Sequence, residues 1–293
     1  MTAKIIDGKA IAAQIKSEVA RDTARLKHER NIIPGLAFIL VGENPASQVY
    51  VRSKGKACEE MGFHSVTEKL PATVSQDELL RIIRTFNADK SIHGILVQLP
   101  LPKHIDESVV IEAIDWRKDV DGFHPINVGK LVIGQPCLWP CTPAGVQELL
   151  MRSDHDPSGK HVVVVGRSNI VGKPVMNILL QKQKGANAVV TIAHTGAVDM
   201  SHYTKQADIV IAAIGKAKAI TGGMLKPGCV VIDVGINRVE DASAKNGYRI
   251  VGDVDFASAS QVANAITPVP GGVGPMTIAM LMRNTLEAAT NLN

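Results

Sequence analysis

Tyr50 and Lys54 stand four residues apart in the segment PASQVYVRSKGKACEEM, so on an α-helix an aromatic ring and an amine share one face. Such a pair can act on one ligand, the ring by stacking and the amine by moving a proton. At 3.6 residues per turn Arg52 points roughly 160° away from Tyr50 and Lys56 roughly 120° away, so Lys54 is the cation on that face. The chain holds three tyrosines and is 3% aromatic, which makes the pair distinctive, although an exposed helix face carries the same pattern without chemistry. Gln98 interrupts the apolar strand GILVQLPLP, where a buried amide is costly unless hydrogen-bonded. It serves either a substrate or a neighbouring loop. It lies near the carboxyl end of its strand, where ligands bind to α/β sheets, and Pro100 and Pro102 stop further pairing. The segment DVDGF, from Asp119 to Phe123, sets two acids before a glycine turn. One of them can grip a polar heterocycle or both can cap the turn, and spacing alone weighs these equally.

The run KHVVVVGRSNIVGKP, Lys160 to Pro174, has the form of a nucleotide-phosphate cradle. Val162 to Val165 read as a strand buried on both faces of a parallel sheet. Gly166 makes the turn, and Gly172 and Pro174 open an amphipathic helix whose positive end faces it, a place where anions bind. A P-loop is excluded, because Gly166 and Gly172 are one residue too far apart and Pro174 replaces the magnesium-binding hydroxyl. The usual G-x-G-x-x-G fingerprint is absent too, but its requirements survive: a tight turn, close backbone approach and a helix start. A variant dinucleotide site is the expectation. The next strand, Ala188 to His194, ends in His-Thr-Gly without an Asp or Glu to bind a ribose hydroxyl, whereas Arg167, Ser168 and Thr195 can bond a phosphate. This favours NADP over NAD. The alternative is that Arg167 is a solvated loop residue and Thr195 a helix cap.

The elements that must position these groups follow from periodicity. A helix over Gly8 to Arg30 is expected from Ile11, Ile15 and Val19, and it serves packing. Then come strand Gly35 to Val41, helix Pro45 to Met61, strand His64 to Leu70, helix Gln76 to Asn87 and strand Gly94 to Leu99, a βαβ series. A Gly- and Pro-rich passage from Gly122 to Pro143 marks a boundary. A second series follows: helix Pro143 to Met151, then strands at Val162, Val189, Ile209 and Val230. The turn-rich TPVPGGVGP, Thr267 to Pro275, leads into a final helix, Met276 to Ala289, expected to return to the first domain. The fold class is α/β in two domains, residues 1–140 with 276–293 and residues 141–275, the second Rossmann-like. Their cleft is the expected ligand site.

Composition agrees with a soluble two-domain protein. The chain has 293 residues, 45% of them hydrophobic, and a net charge of +4 spread along its length, which indicates neither a nucleic-acid surface nor a membrane partner. The N-terminus lacks a signal-peptide apolar stretch, and no window approaches a membrane span, so a cytosolic location is expected. Cys58, Cys137, Cys141 and Cys229 are scattered and read as reduced structural thiols, and no metal is implied.

The segments YVRSK, GILVQLPLP, DVDGFHPINVGKL, GRSNIVGKP and ITPVPGGVGPMT occur together in this order across both expected domains. In this the chain resembles the bifunctional methylenetetrahydrofolate dehydrogenase/methenyltetrahydrofolate cyclohydrolase family, from about Asp7 to the last helix. The resemblance implies a homodimer, a folate-binding first domain, NADP as hydride acceptor and a role in one-carbon metabolism. It assigns Lys54 to the proton transfers of the cyclohydrolase step, Tyr50 to stacking on folate, Gln98 to supporting Lys54, and Asp121 to the pterin edge. Gly166, Arg167, Ser168 and Thr195 would hold the adenosine phosphates, and Ile236 would lie against the nicotinamide. Pro100, Gly272, Pro275 and Thr277 would border the folate. Many members of the family read His-Ser-Arg-Thr where this chain has His-Thr-Gly, so Gly196 stands in place of a second phosphate-binding arginine. Two other readings share the cofactor domain: an NADP-dependent dehydrogenase of the amino-acid or shikimate type, and a non-catalytic NADP-binding sensor. Neither has a reason for Tyr50, Lys54, Gln98 and Asp121 together.

Overall fold

The structure is a computed structural model that describes residues 2–244 and 247–292. In chain order its elements are β1 (Lys4–Ile5), α1 (Gly8–Arg30), β2 (Gly35–Val41), α2 (Pro45–Glu60), β3 (His64–Leu70), α3 (Gln76–Ala88), β4 (Gly94–Val97), α4 (Glu107–Ala113) and α5 (Pro125–Val132). They continue with α6 (Cys141–Arg152), β5 (His161–Val165), α7 (Gly172–Leu180), β6 (Val189–Ala193), α8 (Met200–Thr204), β7 (Ile209–Ala212) and β8 (Val230–Asp233). The last are β9 (Asn237–Glu240), β10 (Tyr248–Val251), α9 (Phe256–Ala259), β11 (Ala265–Ile266) and α10 (Val273–Asn291). The chain divides into two compact units, one of Ala13–Cys141 with Ile278–Asn293 and the other of Met1–Ala12 with Thr142–Thr277.

The unit that begins at Ala13 is built on a three-stranded parallel sheet in the order β3-β2-β4, with Phe38 opposite Thr67 on one side and Leu96 on the other. Every residue of β2 is buried, as expected of a central strand that reads GLAFILV without alternation. One core gathers Ala37, Ile39, Ile95 and Val97 of the sheet with Leu79 and Ile83 of α3 and Val110 of α4. Ser75 starts α3 by accepting from the Glu78 N–H, and Asp77 and Glu78 lie in its first turn, where acids suit the helix dipole. Beyond β4, the Ile95 N–H donates to the Lys118 carbonyl at 2.8 Å and Ile95 forms a parallel bridge with Asp119. That bridge draws the DVDGF loop to the side of the strand that ends at Gln98.

The other unit carries a six-stranded sheet in the order β1-β11-β8-β7-β5-β6, parallel at every pairing. Val163, Val165, Val210, Ala212, Val231 and Ile266 form its core. Chain order runs from β5 outward to β6 and then to β7 on the opposite side, so a topological switch point lies at the carboxyl end of β5, where ligands of open α/β sheets bind. Three features depart from the sequence-based expectation. Residues 1–12 join this unit, because β1 pairs in parallel with β11, Lys4 opposite Ala265. A hairpin of β9 and β10 stands apart as a two-stranded antiparallel sheet. The final helix also starts earlier than Met276, at Val273, since proline is tolerated in a first turn whose N–H groups need no partner.

Candidate functional site

Along α2 the buried positions Val51, Ala57 and Cys58 flank Lys54, which is itself only 8% exposed, while Arg52 and Lys56 face water. Lys54 therefore sits on the core face of the helix with its ammonium carried toward the sheet. There Nζ donates to Gln98 Oε1 at 3.0 Å. Gln98 follows β4 directly; its N–H donates to Ile39 O at 2.9 Å, and its Nε2 donates to Leu99 O at 2.8 Å. The second contact fixes which end of the amide meets Lys54, so the side chain has one orientation. The next peptide bond, Leu99-Pro100, is cis. Tyr50, one turn before Lys54, is 46% exposed.

The two acids of the DVDGF loop differ. Asp119 is buried, and its Oδ2 accepts from the His124 N–H at 2.7 Å and from Asn127 Nδ2 at 2.9 Å, which ties the loop to the start of α5. Asp121 is half-buried and pushed up to about 6, chiefly by burial, against the opposing pull of the Lys54 charge and with a further push from Asp119. The structure thus separates a capping acid from an acid that faces the lysine. Gly122 follows at a positive φ of 72°, and a Cβ there would lie 2.5 Å from the Pro140 nitrogen, so the loop rests directly on the 138–140 backbone.

In the other unit, the Gly166 N–H donates to Ala193 O at 2.8 Å, and the Ala213 N–H to Val165 O at 2.8 Å. The tips of β5, β6 and β7 thereby converge. A Cβ on Gly166 would lie 2.1 Å from Ala213 O, and one on Gly172 would lie 2.2 Å from Gly166 O. The turn is a cradle that side chains would fill, which fits a bound dinucleotide phosphate. Ser168 Oγ accepts from the Val171 and Gly172 N–H groups at 3.1 and 3.3 Å, so these donors already have a partner and the Ser168 hydroxyl proton is what remains for an anion. The Gly196 N–H donates to His194 Nδ1 at 3.0 Å, which leaves the ring proton on Nε2. Arg167 Nη1 lies 3.4 Å from that Nε2, donor against donor, so its guanidinium is weakly held. Thr195 is exposed beside it, and Ile236, beyond the end of β8, is 54% exposed. Gly272 is buried, and Thr277 Oγ1 meets Thr142 Oγ1 at 2.9 Å.

Two family models match the chain: the tetrahydrofolate dehydrogenase/cyclohydrolase catalytic domain over residues 6–121, and the NAD(P)-binding domain of the same enzymes over residues 140–293. The chain belongs to the tetrahydrofolate dehydrogenase/cyclohydrolase family. The bifunctional protein FolD of Moorella thermoacetica is 59% identical over 289 residues, 99% of each chain. The crystal structure of the bifunctional FolD from Campylobacter jejuni aligns with a TM-score of 0.93 at 50% identity, covering 99% of this chain and 100% of that one. The Trypanosoma brucei FolD, complexed with NADP cofactor and inhibitor, gives 0.94 at 41% identity over 100% of this chain and 99% of that one. Tyr50, Lys54, Gln98 and Asp121 fall within the family's catalytic match, and Gly166, Arg167, Ser168, Thr195 and Ile236 within its NAD(P)-binding match.

Some residues that support the family's catalytic match escape sequence reasoning. Asn284 of α10 is 3% exposed, and its Nδ2 donates to Val120 O and Trp139 O, each at 2.8 Å, holding the backbone on both sides of the Asp121 turn. The signal was a lone amide in the apolar run MTIAMLMRNTLEAA. Lys118 Nζ donates to the Phe86, Asn87 and Asp89 carbonyls and so closes the end of α3, although burial lowers its pKa.

Proposed function

We propose that this chain oxidises 5,10-methylenetetrahydrofolate to 5,10-methenyltetrahydrofolate with NADP as hydride acceptor, and then hydrolyses the product to 10-formyltetrahydrofolate. The observation that carries the reading is the Lys54 ammonium held by Gln98 at 3.0 Å beside Asp121. When bound, the cofactor supplies the hydride acceptor. Gly166 gives its phosphates a backbone approach, Arg167, Ser168 and Thr195 supply donors, and Ile236 offers an apolar surface to the nicotinamide. Arg167 and Ser168 beside a strand tip without an acid support NADP over NAD.

The remaining chemistry belongs to the chain's own residues. Tyr50 stacks on the folate, with Pro100, Gly272, Pro275 and Thr277 along its border, and Asp121 bonds the pterin edge. Removal of hydride leaves a delocalised methenyl cation that water attacks. In its uncharged amine form Lys54 takes a proton from that water and returns it to the ring nitrogen as the ring opens, the second water proton leaves to solvent, and Gln98 fixes where the amine stands. Arginine would not serve, because it does not give up its proton. We further propose a homodimer that works in the cytosol; among the described residues no helix is long and apolar enough to cross a membrane.

The test is to give purified protein methylenetetrahydrofolate and NADP and follow NADPH and methenyl-folate separately. Wild type should form NADPH without accumulating methenyl-folate, and Lys54→Ala should form both. Wild type that makes no NADPH from this substrate refutes the reading.

A further inference from the structure

Asp233 and Asp253 are carboxylates that the roles above leave unused, and they are 4% and 0% exposed. A buried carboxylate is costly unless hydrogen bonds converge on it. Here they do. Asp253 Oδ2 accepts from the Ile214 and Gly215 N–H groups at 2.6 and 2.8 Å, and Asp253 Oδ1 accepts from Asn237 Nδ2 at 2.9 Å. Asp233 Oδ1 accepts from the Gly235 and Asp253 N–H groups, and its Oδ2 from Val254, all at 2.9 Å. The Asp233 N–H in turn donates to Thr267 Oγ1 at 2.8 Å.

Packing around the pair is equally close. A Cβ on Gly235 would lie 2.3 Å from Asp253 Oδ1, and one on Gly252 would lie 1.8 Å from Asp233 Oδ2. Both carboxylates therefore rest on bare backbone. Burial, and with it the charge of Asp253, pushes Asp233 up to about 6 against the pull of its backbone N–H donors. Two adjacent buried acids are a poor device for stability alone. Every group facing their oxygens is a donor, however, so only carboxylates satisfy all of them; an amide would turn its NH2 onto another donor. The segments they hold are the turn after β7 and the stretch from Gly235 to Ile236 after β8. The first follows Ala213, whose carbonyl lies against Gly166, and the second presents the exposed Ile236.

The geometry assigns Asp253 and Asp233 as positioning residues for hydride transfer, holding the Ile214–Gly215 turn and the Gly235–Ile236 segment where the nicotinamide half of the cofactor must rest. This rests on the cofactor placement proposed above. They touch no substrate, and hydrolysis at Lys54 does not need them.

The experiment compares wild type with Asp253→Asn in two assays: oxidation of methylenetetrahydrofolate with NADP varied, and hydrolysis of methenyl-folate supplied directly. Loss of one charge-assisted contact should lower kcat/KM for NADP roughly 10- to 100-fold, with hydrolysis within about twofold of wild type. Adding Asn237→Asp should recover part of the loss, because the amide at 253 then donates to the carboxylate at 237 while its carbonyl keeps the Ile214 and Gly215 donors, although the contact of residue 237 with Val251 O is given up. If Asp253→Asn yields no soluble protein, Asn237→Ala should show the same split with a fall of about threefold to tenfold. Equal losses in both assays, or unchanged oxidation, overturn the assignment. Wild type that forms no NADPH would instead overturn the functional reading on which it rests.

Discussion

Replacing Gln98 by methionine keeps the length and volume of the side chain while deleting the acceptor that Lys54 Nζ meets at 3.0 Å. The lost contact is a hydrogen bond from a charged donor at 3.0 Å, a class worth about 1.5–3 kcal/mol. Lys54 is 8% exposed, so water replaces that partner poorly. At about 1.4 kcal/mol per factor of ten, hydrolysis of methenyl-folate should slow by roughly 10- to 100-fold. Oxidation, which asks no proton transfer of Lys54, should stay within about twofold. The assay is the disappearance of methenyl-folate absorbance, run beside NADPH formation. Unchanged hydrolysis in Gln98→Met, or oxidation falling in step with it, would refute the argument that the amide serves the lysine.

Asp121→Asn tests the acid beside Lys54 through stability. Its folded pKa, about 6, lies above the ordinary 3.8, so its contribution is fully present below pH 3.8 and is lost as pH rises through 6. The variant should therefore gain on wild type between pH 4 and 7.5, by about 1–2 kcal/mol once partial access to water is allowed for, as read from denaturant midpoints. A difference independent of pH would count against the burial of this charge. Gly166→Ala tests the cradle: φ is +138°, and the new methyl would lie 2.1 Å from Ala213 O. A loss of about 2–4 kcal/mol and a weakened response of Tm to added NADP are expected, while unchanged NADP binding by calorimetry would show that the close approach is not needed.

How much of this was legible depends on the reach of each interaction. The four-residue spacing of Tyr50 and Lys54 is local, and α2 delivers it, as β5 delivers its uninterrupted valines to an interior position of a parallel sheet, between β7 and β6. Gln98 was legible because a polar residue in an apolar run needs a partner; the run alone does not say which, the resemblance implies Lys54, and the folded chain supplies the contact just past the end of β4. Asp119 and Asp121 were inseparable from spacing, since what divides them is a pair of donors at His124 and Asn127 that reach one and not the other. β1 escaped notice for a similar reason: two residues carry no period, and its pairing partner lies at Ala265–Ile266. The hairpin of β9 and β10 has charged residues on both faces, Arg238 and Glu240 on one and Arg249 on the other, and only a short apolar alternation, too weak a pattern to stand out.

The two units meet the same physical demand by different means. Beside Lys54, burial pushes Asp121 up to about 6, while its neighbour Asp119 takes the donors at His124 and Asn127. Near Ile236 the chain turns two further buried acids, Asp233 and Asp253, onto backbone N–H groups, with glycines at 235 and 252 cleared to let them in. A carboxylate held by several backbone donors fixes the segments around it, whereas Asp121 acts on Lys54 through its charge. Substitutions at 233 and 253 should therefore change where ligands sit, those at 98 how fast methenyl-folate is hydrolysed, and those at 121 how stability follows pH.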